Sequence, residues 1–191
     1  MHRNAIHTLT LALGLSLSPL SFAAPTVSTI AGNTSVTLDA GFVAAAASLG
    51  VEVGRAFPGR LNGGVAIFPI PAGEVDLANA RGEIAHRGGL DLRAGDLTVT
   101  LSSFVIDTTG DAPVLTGLVK ANDSVVARLP LFDIALTQAP FTRGQGQLII
   151  EGAELTLTGT AAAALNDAFG LDGVFAEGFP IGVARVQAVI Q

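Results

Sequence analysis

Short segments of alternating apolar and polar residues dominate the chain, and glycine, proline or Asn-Asp pairs separate them. Alternation bounded by turn residues is typical of antiparallel strands that bury one face. The pair Asn122-Asp123 lies between two such segments and predicts a β-hairpin. The predicted strands are 64–70, 83–92 (interrupted at Gly88-Gly89), 96–107, 113–119, 124–137, 147–157 and 181–190.

The segment 96–107 changes the parity of its apolar residues midway. The apolar positions up to Leu101 share one face, whereas Phe104 and Ile106 fall on the other in a regular strand. A one-residue bulge at Ser102-Ser103 returns all of them to one side. The pattern therefore predicts a bulged strand with a single buried face.

Two alanine-rich segments interrupt the alternation and predict helices at 40–49 and 159–169. Asp39 and Thr158 precede them as N-caps, and Gly50 and Gly170 end them. An alternating triplet leads into each helix, which fits either a duplicated strand–helix unit or the general likeness of alanine-rich helices. Together these elements predict a mainly β fold: an antiparallel β-sandwich-like domain with two short α-helices.

The first 23 residues have the pattern of a secretory signal peptide. Arg3 supplies a positive start, residues 9–20 are apolar but too short to span a bilayer, and Ser21-Phe22-Ala23 offers a cleavage site. We expect cleavage after Ala23 and one mature domain, 24–191, exported to the periplasm or the extracellular space. No later stretch is long and apolar enough to predict a transmembrane segment.

The composition predicts a folded chain and narrows its chemistry. Hydrophobic residues make up 49% and charged residues 14%, which argues against disorder. The net charge is −6 without a basic run, which argues against nucleic acid as a partner. Cysteine, tryptophan and tyrosine are absent, and the leader holds the one methionine and two of the three histidines. Thiol chemistry, phenolate ligands and paired-histidine metal sites are therefore excluded from the mature chain.

The remaining histidine, His86, begins the segment His86-Arg87-Gly88-Gly89. A neutral imidazole can bind iron or zinc, and adjacent glycines would let a flat ligand approach the backbone. Arg87 suits a carboxylate such as a propionate. The same spacing also fits a surface histidine on an edge strand beside a solvated arginine, and local pattern alone favours that explanation.

The other polar groups do not form a catalytic pattern. Asp107 and Asp111 bracket a segment that fits a polar turn better than a calcium loop. Glu151 and Glu154 have no spacing that indicates a glycosidase pair. No Gly-x-Ser-x-Gly motif occurs, and no predicted helix follows Gly144-Gln145-Gly146. The sequence therefore predicts a protein that is not an enzyme.

Two glycine-rich stretches carry a family pattern. The first is 82–92, with His86-Arg87-Gly88-Gly89-Leu90 at its centre, followed by the strand 97–106. The second contains Leu155-Thr156-Leu157-Thr158, Ala164-Leu165-Asn166, Phe169-Gly170, Phe175, Gly178, Ile181-Gly182 and Ala184. Over roughly residues 35 to 190, the chain resembles the HtaA domain of secreted and surface-anchored bacterial proteins.

Known members of that family bind haem, so the resemblance implies a β-rich fold and a haem role for His86. It does not supply the family's haem-ligating tyrosine, because the expected segment 39–50 offers Phe42 and alanines instead. The tryptophan common near the family's N-terminus is also missing. A His-only site, another apolar ligand and a haem-independent role therefore remain open.

We accordingly expect an exported HtaA-like binding module of the cell envelope, for haem or another apolar small molecule. His86, Arg87, Gly88 and Gly89 are the predicted ligand-binding residues, and His86 is the predicted haem-iron ligand. The alternative is a ligand-free structural or interaction domain with an envelope protein as its partner. An exported inhibitor or lipid carrier on the same scaffold is a further alternative.

Phenylalanine supplies all the aromatic packing of the mature chain. If Phe169 is buried, its replacement by alanine should cost roughly 3–5 kcal/mol. The predicted core residues are Phe104, Ile106, Leu129, Phe132, Leu155, Leu165, Phe169 and Phe175.

Overall fold

The computed structural model describes residues 26–136 and 141–191, and for 141–143 it describes the backbone only. The predicted leader and its cleavage site lie outside these residues. No helix in the described part of the chain is long and apolar enough to cross a membrane.

The fold is mainly β, with two short helices, as predicted. The helices are α1 (Ala40–Ser48) and α2 (Gly159–Phe169). The strands are β1 (Thr26–Leu38), β2 (Glu52–Ala56), β3 (Arg60–Asn62), β4 (Val65–Pro69), β5 (Ala72–Asp76), β6 (Gly82–Ala85), β7 (Gly89–Ala94), β8 (Leu97–Asp107), β9 (Val114–Ala121), β10 (Ser124–Ala135), β11 (Phe141–Gly144), β12 (Gln147–Leu157) and β13 (Pro180–Ile190).

Both helices form where their caps predict them. The Asp39 carboxylate accepts hydrogen bonds from the backbone of Gly41 at 2.7 Å and Phe42 at 3.1 Å. The Thr158 hydroxyl accepts from the Ala161 amide at 3.0 Å and donates to the Pro130 carbonyl at 2.7 Å. These bonds satisfy backbone groups that a helix end leaves unpaired. Helix α1 ends one residue earlier than predicted, at Ser48.

The predicted strands all appear, and the bulge in β8 is confirmed. Ser103 adopts a φ of 51°, and the pairing of β8 with β9 shifts between Ser102 and Val105. As a result, Leu101 and Phe104 are both buried. The hairpin between β9 and β10 turns at Asn122, whose φ is also 51°.

The strands form one large antiparallel sheet that closes on itself. The last strand, β13, pairs with β1 on one edge and with β12 on the other. The ring of paired strands runs β1, β5, β6, β8, β9, β10, β12, β13 and back to β1.

The sheet divides at two strands of this ring. The first half of β1 pairs with β5 and its second half with β4, which continues to β3. Likewise, one part of β8 pairs with β6 and the other with β7, which continues to β2. Residues 86–88, which connect β6 to β7, cross this division.

The core fills the space enclosed by the sheet. Six of the eight predicted core residues are buried, which confirms most of that prediction. Leu129 and Phe169 are only partly buried and pack against the edge of the core. Phe169 is the last residue of α2. The predicted stability loss of roughly 3–5 kcal/mol for Phe169→Ala assumed a buried ring, so it does not apply to this partly buried residue.

Candidate functional site

His86 lies at the division of the sheet, between β6 and β7. Its amide donates to the Phe104 carbonyl at 2.8 Å, and the Arg87 amide donates to the Pro69 carbonyl at 2.9 Å. These bonds join the connection to strands on both sides. The His86 side chain points into the enclosed core, where only 5% of the residue is exposed. The surface-histidine explanation is therefore wrong.

The imidazole of His86 has one hydrogen-bonding partner. Its Nε2 lies 2.7 Å from the Thr34 hydroxyl on β1. Its Nδ1 is buried and has no partner among the described residues. When the proton is on Nε2 and is donated to Thr34, Nδ1 keeps a free lone pair. That lone pair can accept a hydrogen bond from a bound molecule or bind a metal ion.

Burial keeps this imidazole neutral. The loss of solvation on burial lowers the pKa of His86 from 6.5 to about 4. The carbonyls of Phe104 and Ile84 oppose this effect by favouring the protonated ring, although neither forms a hydrogen bond with Nδ1. His86 is therefore a neutral polar group inside an apolar core at physiological pH.

A small cavity of about 30 Å³ lies beside His86. A second cavity of about 20 Å³ shares part of its wall, including Phe68, Phe104 and Leu155. The Phe68 and Phe104 rings meet edge to face, with centroids 5.1 Å apart. Rotation of these rings would change the space that is available next to the imidazole. The lining of the first cavity is Thr34, Val36, Phe68, His86, Phe104, Ile106, Thr108, Leu115, Ile134, Leu136, Ile150, Ala153, Leu155, Ala184 and Val186.

The two glycines after His86 permit close backbone contacts. Gly88 has a φ of 79°, and a Cβ there would lie 2.1 Å from the Gly59 nitrogen. A Cβ on Gly89 would lie 1.9 Å from the Leu101 carbonyl oxygen. The turn that carries Gly59 and the strand β8 thus cover both glycines. Their role in ligand binding stays a prediction.

Arg87 lies on the opposite face from His86. Its side chain is exposed, whereas the His86 ring faces the core. The structure therefore does not bring Arg87 to the cavity, and its predicted ligand contact also stays a prediction. Sequence reasoning missed Thr34. It alternates along β1 with Val36 and Leu38, and this spacing could have placed it on the inward face of the strand.

The other polar candidates have structural partners. Asp91 accepts from Thr100 at 2.7 Å and from Arg93 at 2.6 Å. Asp107 accepts from the amide and hydroxyl of Thr109, and these bonds lower its pKa. This arrangement is the polar turn that the sequence favours over a calcium loop. Over 26–136 and 141–191, no group of three or more histidine, cysteine, aspartate or glutamate residues could hold a metal ion.

Comparison with solved structures shows that the chain has an HtaA-like fold. The C-terminal domain of HtaA from Corynebacterium glutamicum superposes with a TM-score of 0.68 at 14% identity, covering 86% of this chain and 99% of that domain. The N-terminal domain of the same protein gives 0.57 at 15% identity, covering 85% and 99%. The haem-binding protein HtaB of that organism gives 0.53 at 14% identity, covering 87% and 96%. No protein-family model and no curated protein matches the sequence.

The predicted structural resemblance is thus confirmed at the level of the fold. The family resemblance implies a tyrosine within 39–50, and this segment forms α1. No residue of α1 lines the cavity beside His86. The fold therefore places the predicted tyrosine segment and the histidine cavity at different positions in this chain.

Proposed function

We propose that this chain, which has an HtaA-like fold, is an exported, non-enzymatic binding module of the cell envelope. Its ligand is a small apolar molecule with one hydrogen-bond donor, which lies in the core beside His86. The observation that carries the proposal is the unpartnered Nδ1 of His86 in a largely apolar wall. A buried polar atom without a partner is unfavourable, and a ligand donor would satisfy it.

Haem is the second candidate ligand. The likeness in fold to the haem-binding protein HtaB and the presence of one imidazole favour it. The residues do not fit a porphyrin, however. Pockets for molecules of drug size usually enclose roughly 300–1,000 Å³, whereas the cavity beside His86 holds about 30 Å³. No tyrosine exists in the sequence to supply a phenolate.

The small cavity also favours the alternative that the chain is a ligand-free interaction domain with an envelope protein as partner. The two functions differ in one measurable property. A binding module is stabilised by a small apolar ligand, because ligands that bind only the folded state shift the unfolding equilibrium. A ligand-free domain is not stabilised by such a molecule.

Phenol is larger than the cavity of about 30 Å³ beside His86, so it binds only when the Phe68 and Phe104 rings move aside. With that movement, we expect phenol to raise the thermal stability of the mature chain. At a phenol concentration tenfold above the dissociation constant, the gain should be about 1.4 kcal/mol. Ala184→Val adds volume to the cavity wall and should remove most of this gain. The matched control is Ala188→Val, since Ala188 is buried on the same strand but does not line the cavity. Differential scanning calorimetry with and without phenol measures the effect. Equal phenol responses in both variants would contradict the proposed location.

We expect hemin to bind weakly or not at all. Any complex should show the absorption spectrum of mono-histidine or uncoordinated haem, because His86 is the only strong nitrogen ligand in the mature chain. Absorption titration of the mature protein with hemin measures this, and His86→Ala should abolish any shift of the Soret band. A tight complex whose spectrum survives that substitution would show that another residue holds the iron.

A further inference from the structure

We propose that the turn between β2 and β3, together with the arginines around it, binds the surface of anionic phospholipid membranes. The residues involved are Arg55, Phe57, Arg60 and Arg87, which we call the arginine–phenylalanine surface. This inference concerns the outer face of the molecule and does not depend on the cavity.

Phe57 is the most exposed large apolar residue in the described part of the chain, with 85% of its surface accessible. A tight turn holds it, in which the Gly59 amide donates to the Ala56 carbonyl at 2.9 Å. Gly59 is itself buried against Gly88. The Phe57 ring is therefore exposed to solvent, while the turn that carries it is packed against the protein at Gly59.

Three arginines lie on the chain segments that meet at this turn. Arg55 and Arg60 flank the turn in sequence, and Arg87 precedes the glycine that contacts it. All three are exposed, and none of their guanidinium groups has a hydrogen-bond or ion-pair partner among residues 26–136 and 141–191. By contrast, Arg93 and Arg185 each pair with a carboxylate at 2.6 and 2.7 Å.

The sheet brings two of these arginines to one edge. Arg60 pairs with Ile67 of β4, and the Arg87 amide bonds to the Pro69 carbonyl two residues further along that strand. Two residues of a strand span roughly 7 Å. The segments 55–60 and 86–90 contain no carboxylate. These two segments thus carry three arginines without an ion-pair partner and one exposed aromatic ring.

Charge complementarity favours an anionic partner, because no carboxylate of the described chain pairs with these guanidinium groups. One ring is too small for a protein interface, which usually buries about 800 Å² on each partner. A bilayer surface needs no complementary pocket. It accepts an aromatic ring among the headgroups while arginines bind the phosphates. We therefore assign the surface to anionic lipid headgroups.

The net charge of −6 opposes this contact at long range. Attraction from the arginine–phenylalanine surface acts within about one Debye length, roughly 10 Å at 0.1 M salt. Binding should therefore be modest and should fall as sodium chloride is added.

The test is co-sedimentation of the mature chain with vesicles of phosphatidylcholine, alone or mixed with phosphatidylglycerol. We expect binding to the mixed vesicles only. Arg60→Gln and Arg87→Gln should each weaken it by roughly fivefold, and Phe57→Ser should also weaken it. The matched control is Lys120→Gln, which removes one positive charge from the hairpin end of β9. It should bind as the unmodified protein does.

Three results would overturn the proposal. The first is that the chain does not bind mixed vesicles at low salt. The second is equal binding to both kinds of vesicle. The third is unchanged binding by folded Phe57→Ser and Arg87→Gln variants. Circular dichroism checks the folding of each variant. Capture of the chain by immobilised polyglutamate, without vesicle binding, would assign the surface to an acidic protein instead.

Discussion

Replacing Gly89 with alanine is expected to lower the free energy of unfolding by about 3 kcal/mol, an unusually large effect for one added methyl group. The Cβ would lie 1.9 Å from the Leu101 carbonyl oxygen and 2.8 Å from the Ser102 Cα. Both atoms belong to the backbone of β8, so no side-chain rotation relieves the contact. Either β7 separates from β8 or the connection that carries His86 moves. Urea denaturation of the purified variant measures the loss.

Gly110→Ala is the matched control for this substitution. Gly110 lies in an exposed turn, and the nearest atom to an added Cβ is 3.9 Å away. Its stability should change by no more than about 0.5 kcal/mol. If Gly89→Ala were as stable as Gly110→Ala, the close pairing of β7 with β8 at this position would be wrong.

Lowering the pH from 7 to 5 is expected to destabilise the mature chain by about 2 kcal/mol through His86 alone. Burial lowers the pKa of this histidine to about 4 in the folded state, whereas the unfolded value is 6.5. Between these values the unfolded chain binds the proton and the folded chain does not. Stability is therefore fully present above pH 6.5 and is lost progressively as the pH falls towards 4.

Because His86 is the one histidine expected in the mature chain, the pH dependence of stability between 5 and 7 can be assigned to it. The expected cleavage removes His2 and His7, and hydrogen bonds from Thr109 keep the pKa of Asp107 below its usual range. Urea denaturation at several pH values between 5 and 7 gives the slope. His86→Gln should be nearly insensitive to pH over this range, whatever its absolute stability. An equal slope in His86→Gln would show that another group titrates.

Much of the fold could be predicted from the sequence, because local patterns encode it. The parity change after Leu101 fixes the bulge in β8, and the oxygen-bearing residues Asp39 and Thr158 mark the helix starts. The short strands β2, β3 and β5 were not predicted, since exposed arginine, glutamate and glycine residues weaken their alternation. Most of β1 was missed because Gly32 and Asn33 interrupt its apolar positions.

The site was harder to predict, because its contacts are distant in sequence. His86 and Thr34 are 52 residues apart. Local spacing could not show that the imidazole faces the core, nor that Gly59 and Leu101 lie against the two glycines. Pattern alone also could not separate Phe169, at a helix end, from Phe132, which is fully within the core. Each of these outcomes depends on the closure of the sheet.

The most direct test of the central claim, that a small apolar ligand lies beside His86, uses the imidazole itself. Nitrogen-15 NMR of the mature chain labelled only at histidine reports Nδ1 and Nε2 of one residue. Titration with phenol should shift the Nδ1 resonance as the hydroxyl donates to it, while Nε2 keeps its bond to Thr34. Toluene, which has the same ring but no donor, should leave Nδ1 without this hydrogen-bond shift. An Nδ1 resonance unchanged by phenol at near-saturating concentration would contradict the proposed binding site.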